Sequence, residues 1–180
     1  VTSQMRRTAK IVNFGIIYGI SQFGLAEDLK IKAAEAKIFI DNFYSMHPAV
    51  KEYMDNSISI AKQTGFASTL FGRKRKMDDI NVSNYMVRSR AERASQNMPL
   101  QGTAADIIKI AMVNTFNALK EAGFKARLIM QVHDELIIDC PIEEKEKVSK
   151  LLKEQMESAA KLAVPLEAEV SSSYRWSDAH

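Results

Sequence analysis

The hydrophobic period of this chain changes near Phe124, and that change limits the folds open to it. Upstream, apolar residues recur at helical intervals. Downstream, residues 128–132 and 136–138 alternate or cluster branched apolar side chains, as strands do. The polar triplet His133-Asp134-Glu135 separates these two runs and therefore falls at the tip of a β-hairpin. The fold class that follows is α+β, with a mostly helical lobe first and then a part carrying a small antiparallel sheet.

The order of elements can be read from caps and breakers. A helix is expected over residues 5–18, with Gly19 just past its end. A short helix follows over 25–30, with Ser21 as its cap. Residues 33–46 form a strongly amphipathic helix that buries Ile38, Phe39 and Phe43. Pro48 suits the first turn of a helix over 49–63, which Gly65 ends. A strand is expected over 66–71. Gly72 then turns the chain into the basic run Arg73-Lys74-Arg75-Lys76. The looser polar stretch 78–84 marks a lobe boundary. Residues 87–94 are helical, Pro99 interrupts, and a second helix spans 103–122 up to Gly123. After the hairpin, residues 141–163 form a charged helix with Val148, Leu151, Leu152 and Met156 inward. Residues 166–170 alternate as a last strand. No internal repeats occur.

Bulk properties exclude some classes. The chain has 180 residues, of which 46% are apolar, enough for a sizeable core in one domain or two small lobes. The net charge is +3, mildly basic and weak support by itself for a nucleic-acid partner. The single cysteine, Cys140, rules out an internal disulfide and fits a reducing, cytoplasmic setting. No apolar run approaches the roughly 18 residues needed to span a bilayer, so no membrane role is expected. The chain opens at Val1 and enters a helical segment almost at once. That start is expected of a segment cut from a larger protein.

The chemistry-bearing residues form two groups. Arg6, Lys10, Phe14 and Tyr18 are four apart, and each step of four advances about 400° around a helix at 3.6 residues per turn. They make one slowly winding stripe, cationic at one end and aromatic at the other, which suits the phosphates and the sugar and base of a nucleotide. On spacing alone, a surface helix with solvated cations and a buried aromatic pair fits the same pattern better. The other group is Asp134 and Glu135. Neighbours on a strand point to opposite faces, so one is a candidate metal ligand and the other supporting or solvated. A plain polar turn is the common alternative, and His133 alone is more often solvated or structural than a ligand. A triphosphate needs cations for its phosphates and carboxylates for its metals, so the two groups together point to nucleotidyl transfer. The basic run can clamp a phosphate backbone or be a solvated loop. Arg93, Asn97 and Gln101, again four apart, can donate to base edges or phosphates, or serve as caps and surface.

The order and spacing of these motifs resemble DNA polymerase I-type (family A) enzymes over essentially the whole chain. Arg6-x3-Lys10-x3-Phe14-x3-Tyr18-Gly19 resembles the family's fingers helix. The run from Arg93 through Asn97, Pro99, Gln101, Gly102 and Thr103 to Asp106 is similar to its palm helix signature. His133-Asp134-Glu135 resembles its carboxylate-bearing hairpin. Thr69-Leu70-Phe71-Gly72-Arg73-Lys74-Arg75 and the segment from Val164-Pro165-Leu166 to Trp176 and Ala179 are similar to further family segments.

The resemblance implies a fingers portion at residues 1–80 and the C-terminal portion of the palm at 81–180. It implies a DNA-directed DNA polymerase of replication and repair, with Mg²⁺, primer–template DNA, deoxynucleoside triphosphates and the remainder of the polymerase chain as cofactor and partners. By this carry-over, Arg6 and Lys10 hold the triphosphate, Phe14 packs by the sugar, and Tyr18 lies near the forming base pair. Arg73, Arg75, Arg93, Asn97, Gln101 and His133 contact DNA. Asp134 binds metal, Glu135 supports it, and Lys10, Asp134 and Glu135 are the catalytic residues. The family's other metal-binding aspartate precedes the fingers and is not among these residues, nor is the thumb or any exonuclease domain. The 180-residue piece is therefore expected to be inactive alone.

Two rivals bear on the same residues. Phage-type single-subunit RNA polymerases share the Arg, Lys and Tyr-Gly pattern, but typically lack Phe at the position of Phe14 and Glu at that of Glu135. A non-catalytic DNA-binding module has no use for an intact triphosphate stripe.

Overall fold

The computed structural model describes residues 1–179. The chain forms two compact units, Val1–Thr103 and one that begins at Ala104.

In the first unit, α1 (Ser3–Ile17) starts where the Thr2 hydroxyl accepts from the Met5 amide at 3.2 Å. This satisfies one of the orphan donors of the first turn. The helix ends in a Schellman arrangement. Ile20 N–H donates to Gly15 O at 2.8 Å and Gly19 N–H to Ile16 O at 2.9 Å, with Gly19 left-handed at φ 72°. Ser21 caps α2 (Gln22–Leu29) by accepting from Gly24 N. α3 (Ala33–Met46) has the expected bounds but not the expected inner face. Ile38 and Phe39 are exposed and Phe43 is half-buried, while Ala36 is fully buried and Ala33 and Ile40 pack beside it. Apolar residues occur on more than one side of α3, so periodicity alone cannot choose the stripe. Small Ala36 lets α3 approach Leu25 and Ala26 of α2 closely. Complete burial of Leu25 is worth roughly 1.5–3 kcal/mol.

Pro48 opens α4 (Pro48–Thr64), and Gly65, left-handed at φ 77°, ends it. β1 (Phe66–Ser68) is shorter than expected and pairs antiparallel with β2 (Lys74–Lys76). The basic run is thus largely a strand. Ala61, Ala67, Met77, Ile80 and Met98 form the core beneath it.

Pro99 does not interrupt the next helix. α5 runs unbroken from Tyr85 to Glu121 with Pro99 inside it. A proline costs a helix interior about 3 kcal/mol, because it lacks the N–H and crowds the preceding turn. Tertiary contacts on both sides offset this. Met98 is buried in the core on one side of Pro99, and on the other Thr103 Oγ1 accepts from Leu70 N at 2.9 Å.

The second unit packs the remainder of α5 with β3 (Arg127–Val132), β4 (Glu135–Asp139) and α6 (Lys145–Glu157). β3 and β4 pair antiparallel, from Arg127 opposite Asp139 to Val132 opposite Glu135. Ile129 is the extra residue of a bulge between Leu128 and Met130. Val148 and Leu152 are buried and Leu151 and Met156 pack beside them, as expected. α6 ends at Glu157 rather than 163, and residues 166–170 form no strand. The Glu157 carboxylate accepts from Ala168 N at 3.0 Å and Lys153 Nζ donates to Ala168 O at 2.7 Å, so side chains take backbone groups that a strand would offer a neighbour. Among the described residues, no helix is long and apolar enough to cross a membrane.

Candidate functional site

The α1 stripe is built as its spacing implies, and it faces solvent. Arg6 and Lys10 are exposed, and among the described residues neither takes part in an ion pair. Phe14 and Tyr18 are 56% and 44% exposed, which removes the buried-pair reading of these aromatics. Their rings stack with centroids 6.4 Å apart and planes 18° from parallel. Two large aromatic faces left in water beside two unpaired cations form an amphipathic surface. It can take a flat ring at one end and anionic oxygens at the other.

The end of α1 is fixed by α5. Asn97 Nδ2 donates to the Tyr18 carbonyl at 3.3 Å. A Cβ on Gly19 would stand 2.9 Å from Gln96 Oε1 and 3.1 Å from Arg93 Cγ. Glycine is thus required at 19 both for its left-handed backbone and for the close approach of α5. Tyr53 sits behind this contact, its hydroxyl reaching Gln96 O at 3.5 Å. Burial pushes the Tyr53 phenol above its ordinary range, with the Ser57 hydrogen bond opposing. The structure therefore brings Tyr18, Arg93 and Asn97 together. Gln96 is a contact that the spacing rule missed; its signal was its place beside Asn97.

Gln101 is exposed one turn further along α5. Next to it, Arg73 Nη2 donates to Gly102 O at 2.9 Å. Arg75 lies on β2 opposite Ala67, in a groove shared with Lys76, Asp78, Asp79 and Arg90. Lys76 pairs with Asp78 at 2.6 Å, and that hydrogen bond holds its ammonium above the usual lysine range.

In the second unit, His133 and Asp134 form a two-residue turn and Glu135 is the first residue of β4. All three are exposed. His133 is left-handed at φ 51°, as the hairpin turns that match strand twist require. Gln131 Nε2 donates to His133 O at 2.5 Å and braces the tip. Asp134 and Glu135 edge a groove with Trp176 and Val170. The donor set does not make a complete metal centre. Among the described residues, no three His, Cys, Asp or Glu side chains gather where they could hold an ion. Asp134 is an accessible carboxylate, able to supply one ligand to a metal ion.

Comparison with known proteins shows the family of the chain. Residues 1–178 match the family model of DNA polymerase family A. The chain is 49% identical over 176 residues to DNA polymerase I of Caldicellulosiruptor bescii, covering 98% of this chain and 21% of that protein. It is 50% identical over 179 residues to DNA polymerase I of Geobacillus stearothermophilus, covering 99% of this chain and 20% of that protein. It thus spans about a fifth of the length of these curated relatives. Among solved structures, it is similar to the POL domain of Pol1 from M. smegmatis in complex with DNA primer-template and dNTP. That match has a TM-score of 0.89 and 41% identity, and covers 93% of this chain and 30% of that one.

Proposed function

The chain belongs to DNA polymerase family A, and from that premise we propose that it forms part of the machinery by which a longer polymerase chain copies a DNA template. Residues 1–80 are the fingers portion and residues 81–180 the C-terminal portion of the palm. The observation that carries this reading is the solvent-facing α1 stripe, with Arg6 and Lys10 in no ion pair among the described residues, Phe14 and Tyr18 exposed and stacked, and its end tied to Asn97.

In the reaction, the primer 3′ hydroxyl attacks the α-phosphorus of a deoxynucleoside triphosphate and pyrophosphate leaves. Lys10 and Arg6 bind the phosphates and stabilise the charge that grows on the leaving group. Phe14 packs by the sugar, and Tyr18 lies near the base pair being formed. Arg73, Arg75, Arg93, Asn97, Gln101 and His133 contact the primer–template; such polar and cationic contacts set register and supply salt-dependent affinity. Asp134 supplies one carboxylate ligand and Glu135 supports it. Asp134 would be one of the groups holding a divalent ion such as Mg²⁺, which would supply Lewis-acid stabilisation of the phosphate charge. A cytoplasmic setting accords with the single cysteine, Cys140.

Two measurements on a full-length polymerase carrying these residues test the proposal. Template-directed primer extension should proceed with deoxynucleotides and not with ribonucleotides, and the complementary deoxynucleotide should tighten binding to primer–template. Equal use of ribonucleotides would transfer the assignment to an RNA polymerase. No incorporation, with duplex affinity indifferent to nucleotide, would leave a DNA-binding module.

A further inference from the structure

We propose that Thr103 is a positioning residue for Gln101, acting by locking the β1–β2 turn onto α5. This inference rests on the proposed role of Gln101 as a primer–template contact. Gln101 lies between Pro99 and Gly102, the two poorest helix formers. Pro99 has no N–H to donate to the preceding turn, and Gly102 has the least backbone restraint. The helix alone is therefore weakest where Gln101 must be aimed.

The turn supplies the missing restraint. It is closed on itself by Thr69 N–H to Arg73 O at 2.9 Å and Arg73 N–H to Thr69 Oγ1 at 3.2 Å. Gly72, at φ 82°, takes the left-handed position that a three-residue hairpin loop needs. The closed turn then meets α5 at three points. Leu70 N–H donates to Thr103 Oγ1 at 2.9 Å. Arg73 Nη2 donates to Gly102 O at 2.9 Å. Thr69, only 5% exposed, lies so close that a Cβ on Gly102 would stand 2.7 Å from its Cγ2.

Thr103 joins the two sides. Its hydroxyl oxygen accepts from Leu70 of the turn, and its proton goes to Pro99 O of the helix at 2.5 Å. One hydroxyl thereby ties the turn to the proline-weakened segment, with exposed Gln101 inside the loop of contacts.

The test is a double-mutant cycle in the full-length polymerase, read as single-nucleotide kcat/KM on a matched primer–template. Thr103→Val keeps the shape and removes the hydroxyl, and should lower kcat/KM about three- to tenfold, the worth of one hydrogen bond. Thr103→Ser keeps the hydroxyl and should restore the rate. In a Gln101→Ala background, Thr103→Val should have almost no further effect, because the group it aims is gone. Gly102→Ala, which wedges Thr69 away, should give the same loss and the same suppression. It serves as the second variant where Thr103→Val does not fold. Losses that multiply fully with Gln101→Ala, or a serine variant as impaired as valine, would overturn the proposal. Gln101→Ala at the wild-type rate would instead overturn the reading of Gln101 on which it rests.

Discussion

The side-chain amide of Asn97 donates to the Tyr18 carbonyl at 3.3 Å, so a residue of α5 holds the residue that caps the C-terminal end of α1. The two residues are far apart in sequence, and each belongs to a motif with its own spacing. Their contact makes the aromatic end of the α1 stripe and the Arg93–Asn97 face of α5 one surface. Gly19 permits this approach, because Gln96 and Arg93 occupy the space a side chain would need.

Gly19→Ala should therefore destabilise the first unit more than Gly65→Ala. Both glycines are left-handed, at φ 72° and 77°. A Cβ at 65 meets nothing within 4 Å, so Gly65→Ala pays the backbone cost alone, about 1 kcal/mol. Gly19→Ala adds crowding against α5 and should cost at least about 2 kcal/mol. Urea unfolding midpoints of the two variants check this, and equal midpoints would refute the close-packing argument.

Lys10→Ala in the full-length polymerase should lower kcat/KM for deoxynucleotide by roughly ten- to a hundredfold. The exposed ammonium has no ion-pair partner among the described residues, so its charge is available to phosphate. A charge-assisted contact is worth about 1.5–3 kcal/mol. Steady-state kinetics decide, and unchanged kcat/KM removes Lys10 from the nucleotide site.

Asp134→Asn should abolish extension by the full-length polymerase while primer–template affinity stays near wild type. The carboxylate is a candidate ligand, whereas duplex affinity comes mainly from cationic and polar contacts. The 180-residue chain alone should show no extension above background, since it spans only about a fifth of the length of the polymerases it matches. Single-turnover extension and fluorescence anisotropy separate the two effects. Synthesis by the isolated chain, or wild-type extension by the variant, would contradict the assignment.

Acid should weaken the end of the second unit through Glu157. The Ala168 amide, then the Lys153 hydrogen bond, holds the Glu157 carboxyl below the ordinary glutamate range. A lowered folded-state pKa contributes stability that is present above the unfolded value and is lost as pH falls through the folded one. Glu157→Gln should thus be less stable than wild type at neutral pH, with the difference closing below the ordinary glutamate range. Thermal unfolding against pH measures this, and a gap that persists into acid would show that the carboxylate charge is not the cause.

Sequence by itself determined the local rules. Four-residue spacing placed Arg6, Lys10, Phe14 and Tyr18 on one stripe. Ser21, Gly19 and Gly65 marked helix ends, and two branched apolar runs put Asp134 at a hairpin tip. These follow from residues within a turn or two of each other, where backbone geometry leaves few options. Only the tertiary structure decided which face of α3 is buried, because several of its sides are apolar and the partner helix selects the one carrying Ala36. It also decided that α5 passes through Pro99. The local cost of a proline is fixed by sequence, but the burial of Met98 and the Leu70–Thr103 hydrogen bond that offset it involve distant residues. The pairing of Asn97 with Tyr18 has the same origin, since a hydrogen bond across so many residues exists only once both helices have packed.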